Sequence, residues 1–445
     1  MESSEGKAPN MSKFDNVSTK QRRIAELAKD APDMAMDLSH HMDIEWFKEA
    51  YRRTRKNGAL GIDGQSAQEY AKDLEENLQS LLDRAKNGRY RAPAVRRVHI
   101  PKDAEGKETR PIGIPTFEDK VLQRAVVMAL EPVYEQDFLD CSYGFRPRRS
   151  AHRAIATVRD ALAETGGGYI IDLDIRKYFD TIDHQHIQNI FRKRVRDGVL
   201  ARLIGKWLNA GVMEEDLITY LDSGVPQGGV VSPILSNIYL HEVLDSWFED
   251  VAKPRLRGKA SMIRFADDAV LMFERRDDAE RMMDVLPKRF AKYGLTLHPE
   301  KTRLVNFKKP KNRVGRTESP EAFDFLGFTH YWAKSRNGNW VIKQKTAKDR
   351  LARSLKRVSA WLREVRHEPI AEQHKQLCSK VRGHIQYYGI RCNSKALCCF
   401  VDRTKKLWQK WLSRRSHRTK KKKWEWYNGI LERFPLPRPA IVHSY

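Results

Sequence analysis

The sequence predicts an α+β body followed by an all-helical region. Three observations carry this reading. Strand-like apolar runs at residues 95–100, 169–175 and 262–273 are mixed with stretches of helical periodicity. From about residue 346 onward the apolar spacing is helical throughout, over 351–365, 370–388 and 396–412. The charge changes at the same place: of a net +25, residues 341–445 supply 27 basic against 7 acidic side chains, a net +20. Strands mixed with helices in one stretch and helices alone in the next argue for two units, the second of which carries the field.

Taken in order, residues 1–45 form a polar lead, weakly patterned and expected to be mobile over about the first 40. Helical spacing follows at 44–51 and 67–85, with Gly58, Gly61 and Gly64 punctuating the loop between. The mixed body spans 46–345 and the helical domain 346–413. The segment 414–445 is a nucleic-acid-binding tail: 414–423 is almost wholly basic and 434–439 is proline-rich, so it is expected to be extended and bound to a partner.

A field of this size attracts polyanions through phosphate neutralisation and counterion release, which makes nucleic acid the leading partner. No stretch reaches the roughly 18 apolar residues of a spanning helix, so a membrane partner is not expected. The polar start lacks the apolar core of a signal peptide, and the expected location is the cytosol. The five cysteines contain no C-x-x-C pair and are read as reduced thiols rather than disulfides or zinc ligands.

The chemistry is announced by Arg264-Phe265-Ala266-Asp267-Asp268-Ala269-Val270. Acids are unfavourable inside a strand and adjacent like charges repel, so a turn that presents both to a cation makes physical sense. A second apolar strand, Ile170-Ile171-Asp172-Leu173-Asp174-Ile175, again embeds acids, with Asp172 and Asp174 on one face. Two-metal phosphoryl transfer needs such oxygen ligands drawn from separated strands. One Asp-Asp pair alone would be read as a solvated turn; two such sites in a basic chain are not.

Further motifs appear in a fixed order. They are Gly58-Ala-Leu-Gly-Ile-Asp-Gly64, Val95-Arg-Arg-Val-His-Ile-Pro-Lys102, Arg110-Pro-Ile-Gly-Ile-Pro115 and Ser142-Tyr-Gly-Phe-Arg-Pro147 with Ser150-Ala-His152. Then come Asp174-Ile-Arg-Lys-Tyr-Phe-Asp180, Gly224-Val-Pro-Gln-Gly-Gly-Val-Val-Ser-Pro233, Phe265-Ala-Asp-Asp268, Gly294-Leu-Thr-Leu-His-Pro-Glu-Lys301, Phe325-Leu-Gly-Phe328 and Val381-Arg-Gly-His-Ile-Gln-Tyr-Tyr-Gly389. From about residue 57 onward the chain resembles the bacterial group II intron reverse transcriptases, the intron-encoded maturases.

The resemblance implies a right-hand polymerase, with fingers and palm in the body and a helical thumb, or maturase, domain after it. It implies that Asp174, Asp267 and Asp268 bind two Mg2+ ions; Asp172 lies nearby, matches no catalytic position and is read as supporting. Lys102 and Arg110 would hold the incoming deoxynucleoside triphosphate, assisted by Arg96; Lys107 is a rival for the lysine role and Arg96 is equally readable as a surface cation. Phe179 would exclude a 2′-hydroxyl, with Tyr178 as the alternative, and Gln227 with Gly228 and Gly229 would lie against the nascent base pair. Lys301 is as readable as a surface cation. The thumb aromatics Tyr387, Tyr388, Trp408 and Trp411 would stack on RNA or form core. The implied partners are group II intron RNA, an RNA template with a DNA primer, and target DNA, in splicing and retrohoming. Many relatives carry a C-terminal His-Asn-His endonuclease with paired cysteines; with no C-x-x-C pair, none is expected here, and bottom-strand cleavage is not expected either. A splicing-only maturase, a defence- or CRISPR-associated reverse transcriptase and an RNA-copying RNA polymerase are the competing readings, the last opposed by Phe179.

Overall fold

The computed structural model describes residues 13–101, 109–214, 217–220, 223–224, 227–310, 321–416 and 424–444. Its first element corrects the expectation of a loose lead: α1 (Lys13–Asp30) buries Val17, Ile24 and Ala28 and packs on α5 (Phe117–Asp137). The Gln21 amide donates to the Met128 carbonyl at 2.8 Å. Three buried residues make a stripe too sparse to stand out among charged neighbours, and only the partner helix reveals it.

The helix α2 (Ile44–Arg53) starts where the Asp43 carboxylate accepts from the Trp46 amide, and it buries Trp46, Phe47 and Ala50. The single helix expected over 67–85 is divided into α3 (Ala67–Tyr70), opened by a Ser66/Glu69 capping box, and α4 (Leu74–Lys86). Asn77 donates to the Tyr70 carbonyl at 3.0 Å and so satisfies a backbone acceptor at the break.

A first sheet has the order β2-β1-β4-β5, built from β1 (Val95–Pro101), β2 (Thr109–Ile114), β4 (Val212–Glu214) and β5 (Leu217–Thr219). Between its halves run α5, α6 (Ala151–Glu164), β3 (Tyr169–Leu173), α7 (Tyr178–Thr181), α8 (His184–Arg194) and α9 (Gly198–Leu208). A second sheet, all antiparallel, has the order β6-β7-β3-β8, with β6 (Ala260–Phe265), β7 (Asp268–Phe273) and β8 (Arg303–Asn306). The helix α10 (Ser232–Leu240) packs on α8 and α5, and α11 (Arg276–Ala291) lies against β3 and β7.

A third sheet, β11-β10-β9, uses β9 (Phe323–Phe325), β10 (Phe328–Lys334) and β11 (Trp340–Thr346) and leads directly into α12 (Lys348–Glu364), α13 (Ile370–Tyr388) and α14 (Ser394–Leu412). The helical core contains Leu355, Val358, Leu362, Leu377, Val381 and Trp408. It also contains Tyr427, from a final helix (Trp424–Arg433), and Leu436. This corrects the expected boundary at residue 413: much of the segment expected to be an extended, nucleic-acid-binding tail is part of the helical core. The extended stretch beyond it docks on the chain itself, where the Val442 and His443 amides donate to the Gly389 carbonyl at 2.7 and 2.9 Å. Of the basic run 414–423, residues 417–423 lie outside the described residues. Among the described residues no helix is long and apolar enough to cross a membrane.

Candidate active site

The second sheet brings the sequence-distant acids together through its register. The last pair between β3 and β7 is Leu173↔Ala269, and one residue beyond each stand Asp174 and Asp268. Between β6 and β7 the chain reverses at Ala266, whose φ of +56° is a left-handed conformation uncommon for a residue with a Cβ.

The tightness of this reversal has a cause beneath it. The guanidinium of Arg264, wholly buried, donates to Asp245 (2.7 and 2.5 Å), to the Asn237 side-chain oxygen (3.0 Å), to the Ser142 hydroxyl (2.8 Å) and to the Ala266 carbonyl (2.9 Å). The Asn237 amide in turn donates to the Gly144 carbonyl at 2.7 Å. Gly144 touches the turn so closely that a Cβ there would stand 2.3 Å from the Ala266 nitrogen. One buried, fully bonded ion pair thus fixes the backbone that carries Asp267.

The carboxylates feel one another. Asp268 is exposed by area but crowded by the surrounding strands; loss of water first, then Asp267 and Asp174, push its pKa up to about 7. Burial raises Asp267 as well, while Arg110 and Arg264 oppose the shift. Asp172 is pushed up to about 6 by burial against the pull of Arg303, whose Nε lies 3.4 Å away. Lys301 places its ammonium 3.6 Å from Asp174. Mutual repulsion of this kind is what a bound cation relieves, so the donor chemistry suits a hard divalent ion. Among the described residues, however, no three acidic, His or Cys side chains are gathered closely enough to enclose a metal ion.

The other residues singled out by sequence are divided. Arg110, on β2, is close enough to lower the Asp267 pKa. The Gln227 carbonyl accepts from the Gly113 amide at 2.7 Å, and Gly228, at φ +118°, packs where a Cβ would meet the Gly113 carbonyl. Tyr178 is core, its hydroxyl donating to the Ser236 carbonyl at 2.9 Å, while Phe179 is only half-buried. Arg96 points elsewhere: its guanidinium donates to the Leu60 carbonyl at 3.1 and 2.8 Å. Lys102 and Lys107 lie outside the described residues. Tyr387 and Tyr388 pack on Phe328, and the Tyr387 hydroxyl donates to the Leu326 carbonyl. Trp408 is core; Trp411 is half-buried between Lys410 and Arg414.

Sequence reasoning missed the Arg264–Asp245 pair and left Lys301 open. It also missed Arg350 of α12, whose charge lowers the Asp268 pKa. A guanidinium in an otherwise apolar strand, immediately before the acids, was the one signal available.

The family profile described as "Reverse transcriptase (RNA-dependent DNA polymerase)" matches residues 100–330, just over half of the chain. The chain belongs to that family: it is an RNA-directed DNA polymerase, its ligands are nucleic acid and nucleotides, and enzymes of the family use divalent metal ions. Its relatives place it with the group II intron-encoded members. It is 37% identical to Protein YkfC of Escherichia coli K12 over 289 residues, 58% of this chain and 75% of that protein. It is 42% identical to the group II intron-encoded protein LtrA of Lactococcus lactis over 170 residues, 38% of this chain and 28% of LtrA. It is 31% identical to a 91 kDa protein in the cob intron of Schizosaccharomyces pombe over 240 residues, 53% of this chain and 29% of that protein. The chain therefore spans less than a third of the last two relatives.

Proposed function

We propose that the chain copies group II intron RNA into DNA from a primer and assists splicing and retrohoming of that intron. The observation that carries this reading is the strand register, which sets Asp174 beside the Asp267–Asp268 turn, where Asp174 raises the pKa of both and Arg110 lowers that of Asp267. On this reading the first sheet is the fingers, the second the palm and the helical region the thumb.

The three aspartates would hold two Mg2+ ions, which when bound supply Lewis acidity to the attacking and leaving oxygens. Arg110 offers a fixed cation to the triphosphate of a deoxynucleotide. Gln227 and Gly228, held against β2, line the place of the new base pair. Phe179 closes the sugar side. Replacing Phe179 by Ala or Val is expected to admit ribonucleotides while deoxynucleotide addition falls only modestly. Competition between the two nucleotide types in primer extension checks this, and unchanged selectivity would assign the ring to packing alone.

The basic helical region and the 414–423 segment are the proposed grip on intron RNA. Neutralising Lys420 to Lys423 is expected to weaken RNA binding and to flatten its salt dependence by about 0.7–0.9 per lost phosphate contact. Intron splicing should fall with it. Asp267→Ala should still splice, because holding a folded RNA needs no nucleotidyl transfer. An in vitro splicing assay in which both variants fail equally would contradict the proposal that one chain carries two separable activities.

A further inference from the structure

The loop that follows α5 carries an aromatic side chain that the fold does not use. Phe145 is 58% exposed, and among the described residues no other phenylalanine is exposed. Its φ is +57°, a conformation that L side chains adopt reluctantly and an aromatic one especially so. The neighbours on both sides explain how the ring is held there. Gly144 is pressed onto the Ala266 nitrogen. Arg146 is buried and donates to Glu135 (3.1 Å) and to the carbonyls of Leu139 (2.7 Å), Ser142 (2.9 Å) and Phe138 (3.3 Å). Tyr143 is tied to the same strand, its amide donating to the Arg264 carbonyl at 2.8 Å. The backbone at 145 is therefore fixed from both ends, directly after a glycine that could not move without displacing the carboxylate turn.

A solvent-facing phenyl ring on a fixed, left-handed backbone gains nothing for the free protein, since hydrophobic burial would draw it inward. It gains if something planar covers it. The ring stands one residue from Gly144, which is pressed onto Ala266, the residue before Asp267, and the molecule whose end must arrive at that turn is the nucleic acid being extended. We propose that Phe145 is a stacking platform for the terminal base pair of the template–primer duplex, fixed in register with the carboxylate turn through Gly144. A π-face accepts any base, which suits an enzyme that must copy every sequence. The proposal rests on reading Asp267 and Asp268 as the reaction centre.

The test uses the full chain with Phe145→Ala, Phe145→Gly, Phe145→Tyr and Phe145→Trp, and a fluorescent DNA primer annealed to an RNA template. Glycine relieves the positive φ, so Phe145→Gly should unfold at the same temperature as wild type or higher. Both small variants should nevertheless bind the duplex, or extend it at limiting duplex, about tenfold or more worse, the loss expected for one aromatic–base stack. The Tyr and Trp variants should stay close to wild type. Wild-type duplex affinity and extension in the Ala and Gly variants would overturn the proposal, as would Tyr and Trp variants no better than Ala. The reading of the carboxylates fails separately: it is judged by extension in Asp267→Ala, whose duplex affinity should be intact.

Discussion

Asp267→Ala is expected to lower DNA synthesis on an RNA template by at least about a thousandfold, equivalent to ~4 kcal/mol of transition-state stabilisation. The size follows from the role: a carboxylate that holds a catalytic cation cannot be replaced by a methyl group, and neither neighbour is free to substitute. Asp174 is already approached by Lys301, and Asp268 is crowded by Asp267 and Asp174. Folding should not suffer. Removing one of several mutually repelling acids relieves the free protein, so the unfolding temperature should be unchanged or higher and RNA binding retained. Primer extension within about tenfold of wild type would contradict the assignment.

The second large effect belongs to Arg264, which touches no substrate. Arg264→Met leaves Asp245 charged, buried and without its partner, a change that costs about 3–5 kcal/mol where it has been measured in other buried pairs. Set against a total stability of about 5–15 kcal/mol, that should appear as a large fall in the urea midpoint. The double variant Arg264→Met with Asp245→Leu removes both charges and should recover most of the stability, because a well-packed apolar pair is an adequate filler. It should not recover activity. The Ala266 carbonyl and the Asn237 oxygen would still lack their donor, and the left-handed turn beneath Asp267 would lose its brace. Stability and extension therefore separate in the double variant; recovery of both would make the guanidinium a filler rather than a positioning group.

How much of this was legible in the sequence depended on whether a signal was local. Acids inside apolar strands are conspicuous, so Asp172, Asp174, Asp267 and Asp268 stand out; the resemblance to the intron reverse transcriptases selects Asp174 over Asp172, and the strand register sets it beside the turn. The three helices between 348 and 412 have dense apolar stripes and were placed nearly to the residue, Ile370–Tyr388 among them. What failed was long-range. Arg264 finds Asp245 on a helical segment 19 residues earlier, a pairing that nothing in either residue's surroundings announces. The three-residue stripe of α1 acquires meaning only against α5. The terminal segment looked available to a partner because prolines and cations dominate it, whereas Tyr427 and Leu436 commit it to the helical core. Phe145 was invisible for the opposite reason: an aromatic residue is read as core by default, and only its exposure and φ separate it.

The central claim is that the carboxylates at the end of β3 and in the β6–β7 turn are where divalent ions bind. It can be tested without an activity assay by replacing Mg2+ with Fe2+ and mapping the hydroxyl-radical cuts that the bound ion makes in the polypeptide. The account predicts cuts confined to the backbone around Asp174 and around Ala266 to Asp268, suppressed by excess Mg2+ and lost in Asp267→Ala. Cuts elsewhere in the chain, or a pattern that survives Asp267→Ala unchanged, would contradict it.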